Sequence, residues 1–434
     1  MSSVIKVAHL ARVEGHGGIT VEIDGGAVAE VRFDIFEGAR LIEGLLRGRG
    51  YDEVAPVVSR ICAICSVAHT LTSLKATENA FGIEISSQTQ LLRDLLFLGE
   101  SIESHALHLF LLALPDYLGY PSALAMAADH ADAVRLGLRL KQLGNAIQET
   151  IGGRAVHPVN TVLGGFGCLP STDALIDLRQ RVLAALDDCD AVLELVAGLP
   201  PADFCQSPTA YAALRVPHDY GYYSGEEISA LWDGSRRIVP AAAYRSIISE
   251  KAVPHSHAKH SLFEGRPLMV GALARLAVNG GKLGGRAAGA LRRFGLSLPS
   301  ANPMDNNLAQ AVELFSDLEH SASVLDHLLR TDLRPEAAAA VRPRAGTGTA
   351  VTEAPRGLLI QSYTYGEDGK IIAADIVTPT AINAASIEDR FRHLVEQSPD
   401  TESPALTRSL EMVARAYDPC LSCSVHLVRR ARAR

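Results

Sequence analysis

The chain has 434 residues, enough to bury a sizeable core, and carries 49 Asp and Glu against 41 Lys and Arg for a formal charge of -8. That balance excludes a broad basic face for nucleic acid and leaves room only for local basic patches. No apolar run approaches the ~20 residues that span a bilayer. The longest, Leu107 to Leu114, contains His108 and stops at Pro115, and Met1 to Leu10 has one Lys and no apolar signal segment, so a cytoplasmic, soluble protein is expected.

From Ile19 to Asp24 apolar and polar residues alternate, Asp24-Gly25-Gly26 supplies a turn, and alternation resumes from Val28 to Phe36, which predicts a β-hairpin. Apolar residues then recur at helical spacing through Leu91, Leu92, Leu95, Leu98, Ile102, Ala106 and Leu109, with Pro115 expected to stop the run. Further helices are predicted over Ala131 to Thr150, over Asp173 to Ala197 behind the capping candidates Ser171 and Thr172, and over Leu308 to Leu329 behind Asn306 and Asn307. Pro335 to Thr349 reads as a linker or surface loop. Gly357 to Tyr365 and Lys370 to Val377 read as strands joined through Glu367-Asp368-Gly369. The expected fold class is α+β, mainly α, with a large helical core and small peripheral sheets. It is expected as one domain over 1–434, with a hairpin segment at 1–50, a mostly helical part at 51–330 and a strand-rich C-terminal segment at 350–426.

Four of the seven cysteines form two C-x-x-C pairs, whereas Cys168, Cys189 and Cys205 stand alone. In a reducing compartment such pairs point to metal or redox chemistry rather than disulfides. The first lies in Arg60-Ile61-Cys62-Ala63-Ile64-Cys65 and is followed by His69; the second lies in Asp418-Pro419-Cys420-Leu421-Ser422-Cys423 and is followed by His426. A two-residue gap lets two sulfurs converge on one centre, and a helix beginning there is expected to aim backbone N–H groups at the thiolates. A structural zinc site uses the same donors, but zinc modules bring their pairs together within ~15–20 residues, and these lie at opposite ends of the chain.

With their neighbours, both segments resemble the two metal-binding motifs of nickel-iron hydrogenase large subunits, R-x-C-x-x-C-x-x-x-H and D-P-C-x-x-C-x-x-H. The resemblance extends through Arg12-Val13-Glu14-Gly15-His16, Gly153-Arg154-Ala155-Val156-His157-Pro158, Glu353-Ala354-Pro355-Arg356-Gly357 and Thr378-Pro379-Thr380-Ala381-Ile382-Asn383, and so runs through nearly the whole chain. It implies that family's large-subunit fold, and a nickel held by four thiolates, two of them shared with an iron that carries carbon monoxide and cyanide. Carried over, Cys62 and Cys420 are terminal ligands and Cys65 and Cys423 bridge. Glu14 matches the proton-transfer glutamate, Arg356 the arginine beside the open metal position, and Pro355 and Asp418 its supports. Glu43 and His426 match a separate magnesium-type site, for which His is an unusual donor.

The resemblance implies reversible oxidation of hydrogen, with electrons leaving through an iron-sulfur small subunit. The chain itself has no G-x-G-x-x-G dinucleotide loop and no further cysteine cluster for iron-sulfur centres. Ser104 stands where many membrane-bound relatives carry an Asp, a change that resembles the cytoplasmic group; flavin and iron-sulfur diaphorase subunits and NAD(P) are therefore expected beyond the small subunit, with another soluble carrier, a deazaflavin or ferredoxin, as the alternative. The family also implies a maturation endopeptidase cutting between His426 and Leu427 and releasing the tail 427–434. His69 and His157 read as core histidines, and His255, His257 and His260 as surface residues without a counterpart in the family. The rivals are a quinone-reductase subunit of the same superfamily, which lacks the cysteines, and a zinc-stapled scaffold.

Overall fold

The computed structural model describes residues 2–38, 41–331, 333–400 and 403–425. Gly25 and Gly26 turn the first hairpin with φ of 58° and 84°, a left-handed pair that matches the twist of the strands they join. They connect β2 (Gly17–Asp24) to β3 (Ala27–Ile35), and β1 (Ser2–Val7) pairs antiparallel along the other edge of β2. Ile19, Val21 and Ile23 of β2 are buried with Val31, Phe33 and Ile35 of β3, as the alternation predicts.

Short helices α1 (Ile42–Leu46) and α2 (Tyr51–Val58) lead through a tight turn at Ser59–Ile61 to α3 (Ser66–Phe81), which is buried along almost its whole length. Ser86 caps α4 (Ser87–Leu107) by accepting the Thr89 N–H. Pro115 does not end this run. A π-helical turn at His108–Ala113 carries the chain into α5 (Leu114–Leu118), where Pro115 sits in a first turn that needs no donor from it. The resulting stretch Ser87–Leu118 is long and apolar enough by composition to cross a membrane, yet 83% of its most apolar window is buried inside the protein, as in the core helix of a soluble fold. After α6 (Ala123–Met126), α7 (Ala131–Gly152) packs closely on α4: a Cβ on Gly144 would lie 2.5 Å from the Gly99 carbonyl.

A two-stranded ribbon, β4 (Thr161–Val162) and β5 (Gly165–Phe166), precedes two helices where the sequence predicts one. The chain breaks at Asp188 between α8 (Thr172–Asp187), capped by Ser171, and α9 (Cys189–Ala197). The sequence also gives no sign of the next element. A six-stranded sheet is built from β6 (Ala210–Arg215), β7 (Glu227–Trp232), β8 (Ser235–Pro240), β9 (Ser249–Ala252), β10 (Lys259–Phe263) and β11 (Arg266–Met269), in the order β8-β7-β6-β11-β10-β9. Its central strand β6 is buried on both faces, so it shows no alternation.

Helices α10 (Ala272–Asn279) and α11 (Gly285–Arg293) precede the long α12 (Asp305–Arg330). The region expected to be a linker does not extend to Thr349. Its last residues open β12 (Gly346–Ala354), which pairs with β13 (Gly357–Tyr365), itself paired with β14 (Ile371–Val377). Gly348 lets β12 lie against α3, because a Cβ there would come within 2.0 Å of the Ala76 carbonyl. The chain ends in α13 (Pro379–Glu396), α14 (Pro404–Ala416) and the short α15 (Leu421–Ser424). Phe391 of α13 meets Phe33 of β3 edge-on at 6.1 Å, tying the end of the chain to its beginning.

Candidate metal centre

The two cysteine pairs approach from opposite directions. Cys62 is extended, with φ -148° and ψ 145°, just after the turn at Ser59–Ile61, and Cys65 immediately precedes α3. Of the second pair, Cys420 immediately precedes α15 and Cys423 lies within it, and the segment is fixed from two sides. The Cys420 N–H donates to Thr380 Oγ1 at the start of α13, at 2.9 Å, and the Leu421 N–H donates to the Glu14 carbonyl, at 2.9 Å. Gly15, with φ 84°, makes that approach possible, since a Cβ on it would stand 2.9 Å from both Leu421 Cβ and the Ser422 nitrogen.

All four sulfurs lie within 4.8 Å of one another and all four residues are buried. Cys62 and Cys420 are 3.3 Å apart, Cys65 and Cys423 3.3 Å, and Cys420 and Cys423 2.6 Å; all are free thiols. The helix-start expectation needs correction. Among the described residues only the Cys65 N–H reaches a sulfur, Cys62 Sγ at 3.4 Å, whereas the Val67 and Ala68 N–H groups of α3 donate to the Glu100 carboxylate at 2.7 and 3.0 Å. The opening turn of α3 is thus satisfied by a buried acid on α4 rather than by thiolates.

The charge balance of the pocket favours a cation. Hydrogen bonds from Cys420, Cys423 and Cys65 hold the Cys62 thiol well below its usual range. Burial pushes Cys420 and Cys423 well up; Cys65 rises to about 11 because the Cys420 and Cys423 hydrogen bonds are outweighed by the Cys62 contact and by burial. Burial and mutual proximity oppose ionising all four sulfurs together, so four thiolates call for a soft cation that neutralises them. Four converging buried sulfurs with this electrostatics fit such a group.

Three further side chains bear on the sulfurs. Glu14 Oε2 accepts from Cys420 Sγ at 3.2 Å and from the Ser422 N–H at 3.1 Å, while the Ser422 hydroxyl donates to Oε1. Arg356, in the turn between β12 and β13, donates from Nη2 to Asp418 Oδ1 at 3.1 Å and from Nε to the Asp418 carbonyl at 3.3 Å. Its Nη1 is buried with no partner, leaving a donor free in a pocket where its charge acts on Cys420, Cys65 and Cys62. The Pro355 carbonyl accepts from Arg275 at 2.9 Å, so the turn that presents Arg356 is held from below by α10.

Asp418 has φ 49°, which turns the chain from α14 towards Cys420, and its Oδ2 accepts from Gln310. Gln310 in turn contacts His108, which the π-helical turn carries inward. Sequence reasoning missed Glu100, Thr380, Gln310, His108 and Ser422. Thr380 and Ser422 lie in segments already singled out, His108 reads only as an interruption of an apolar run, and Glu100 is one of three acids, with Asp94 and Glu103, in a largely apolar helix; Gln310 gives no signal.

The remaining expected residues have other partners. Glu43 accepts the Ile376 N–H at 2.9 Å, and burial raises its pKa, against the charge of Lys259. Its expected partner His426 and the tail 427–434 lie outside the described residues; the last described residue, Val425, bridges to Ala258. Ser104 is fully buried and its hydroxyl has no partner. His69 is buried beside Gln361 as expected, but His157 is only partly buried. His257 is exposed, whereas His260 is buried at 7% exposure and His255 is partly buried, which corrects the surface reading for both. The fold packs them against α13.

A chain closed on itself through four buried thiols, with a carboxylate and an arginine at their edge, defines a thiolate metalloprotein. A model of the nickel-dependent hydrogenase family matches residues 40–151 and 211–426, and a HoxL-like model matches residues 4–37. The chain is 40% identical to the sulfhydrogenase 1 subunit alpha of Pyrococcus furiosus over 98% of both chains, and 36% identical to the sulfhydrogenase 2 subunit alpha of the same organism over 98% of this chain and all of that one. Among solved structures it resembles an NAD+-reducing [NiFe]-hydrogenase in its hydrogen-reduced state, with TM-score 0.88 and 27% identity over 98% of this chain and 99% of that one. It shares the fold of the nickel-iron-selenium hydrogenase of D. vulgaris Hildenborough, with TM-score 0.81 and 22% identity over 98% and 100%. The chain belongs to the nickel-dependent hydrogenase family, as a nickel-iron hydrogenase large subunit.

Proposed function

We propose that Cys62 and Cys420 bind nickel terminally, that Cys65 and Cys423 are shared with an iron carrying carbon monoxide and cyanide, and that Glu14 moves the proton released from hydrogen. The observation that carries this reading is the 3.2 Å approach of Cys420 Sγ to Glu14 Oε2 at the edge of an otherwise buried thiol pocket. The bound metals supply the soft, electron-rich centre at which hydrogen is split heterolytically. Cys420 passes a proton to the Glu14 carboxylate, and the Ser422 N–H and hydroxyl hold that carboxylate in place. Arg356, oriented by Asp418 and by the Arg275-held turn, puts a fixed charge and one free N–H group beside the sulfurs. A zinc staple would have no use for such a base.

Electrons then pass to an iron-sulfur small subunit and through flavin and iron-sulfur diaphorase subunits to NAD(P), in the cytoplasm. The likeness to an NAD+-reducing hydrogenase supports this carrier. The whole chain works as one domain. A maturation endopeptidase removes 427–434, and Glu43 with His426 holds a magnesium-type ion under the C-terminal segment. The deciding experiment uses the purified complex. Hydrogen-dependent reduction of NAD+ or NADP+, equal nickel and iron, and infrared bands of iron-bound carbon monoxide and cyanide are expected. Reduction of a deazaflavin or ferredoxin alone would replace the carrier assignment, and zinc without nickel would end the metal assignment. Mass spectrometry of the active chain should find His426 at its C-terminus.

A further inference from the structure

Away from the cysteines, the loop after β9 and the start of β10 bring His255 and His260 respectively against Glu388 of α13. His255 Nε2 lies 2.7 Å from Glu388 Oε1, His260 Nδ1 lies 3.5 Å from Glu388 Oε2, and one donor atom from each residue falls within 4.8 Å of the others. The imidazole rings are 5.6 Å apart at 74°, edge to face rather than stacked. Tetrahedral zinc, with ligand bonds of about 2.0–2.1 Å, spaces its donors about 3.3 Å apart, between the two distances found here. The 3.5 Å contact is too long for a good hydrogen bond, and His260 Nε2 has no partner although the residue is only 7% exposed. A buried imidazole so poorly satisfied is costly unless another species supplies what the protein does not.

We infer that His255, His260 and Glu388 form a second metal site, taking one divalent ion of the zinc type in place of the proton shared by His255 and Glu388. Two imidazoles and a carboxylate make a borderline donor set suited to such an ion and unlike the all-sulfur pocket. Burial holds His260 below its ordinary pKa, in the neutral form that ligates. The Phe33 N–H donates to Glu388 Oε1 at 2.8 Å and fixes the carboxylate, as a supporting partner behind a ligand does. Glu388 and His255 each retain 17% side-chain exposure, enough to admit an ion and leave a fourth position to water.

The ion has a structural consequence. Ala258, between the two histidines, bridges to Val425, two residues past Cys423, and the His257 N–H donates to the Ile35 carbonyl at 2.8 Å. Fixing this loop to α13 therefore fixes the strand against which the C-terminal ligand segment lies.

The test uses the intact hydrogenase complex, treated with a chelator and titrated with Co2+. One equivalent is expected to bind with the visible absorption of tetrahedral or five-coordinate cobalt and without thiolate charge-transfer bands. His255→Gln with His260→Gln should weaken that binding at least tenfold, with nickel and iron contents unchanged. Glu388→Gln provides a second variant should the first not fold, and the wild-type spectrum stands on its own. No cobalt uptake, uptake with thiolate bands, or equal uptake by the folded variants would overturn the site.

Discussion

Glu14 and Cys420 face each other as neighbouring segments bridged in parallel, carboxylate to thiol at 3.2 Å, although they lie at opposite ends of the chain. Glu14→Gln keeps the shape and the Ser422 contacts but cannot shuttle a proton. Hydrogen uptake and hydrogen–deuterium exchange should fall about 10²–10⁴-fold while nickel stays bound. Wild-type exchange rates in this variant would remove Glu14 from the proton route.

Cys65→Ser should abolish hydrogen uptake and lower nickel content, because a hydroxyl is a harder and far less acidic donor than a thiol. Cys168→Ser is the control: Cys168 is exposed and outside the cluster, so both measurements should match the wild type.

Asp418→Asn leaves the Arg356 guanidinium buried without its counter-charge while retaining a side chain that tolerates φ 49°. A loss of about 3–5 kcal/mol is expected in chemical denaturation. The double variant Arg356→Met, Asp418→Asn should recover part of it, since both charges are then gone. A double variant no more stable than the single one would mean that the carboxylate matters through its other partner, Gln310, rather than through Arg356.

Asp317 gives a pH signature. Burial, with the Glu313 charge adding to it, raises its pKa to about 8, so it is protonated in the folded chain at pH values where the unfolded chain has ionised it. The folded state then binds more protons than the unfolded one between the ordinary Asp value and about 8, and stability falls as pH rises through that window. Asp317→Asn stays neutral throughout. Its thermal midpoint should decline less than that of the wild type between pH 5 and pH 8, and parallel declines would refute the assignment.

Gly348→Ala tests how β12 meets α3. The added methyl would lie 2.0 Å from the Ala76 carbonyl and 2.4 Å from the Ala80 nitrogen, backbone atoms that cannot swing aside. A destabilisation of about 1–3 kcal/mol is expected. Because Cys65 precedes α3 directly, nickel content should drop as well.

Elements whose cause is local are legible in the sequence. The Gly25-Gly26 hairpin, the start of α8 behind Ser171 and the β13–β14 pair follow from turn chemistry, capping and periodicity, and the four clustered thiols follow from two short cysteine motifs near the chain ends. Other features depend on neighbours distant in sequence. β6 is covered on both faces and so shows no alternation; Pro115 is absorbed by a π-helical turn; Gly346 to Thr349 becomes strand because α3 lies beneath it. The site divides in the same way. A motif names Cys420 and Glu14, but only the folded chain sets them 3.2 Å apart, gives the opening amides of α3 to Glu100, and buries His260 beside Glu388. Those relations arise when distant segments exclude water together, and no local pattern in the chain records which segments will do so.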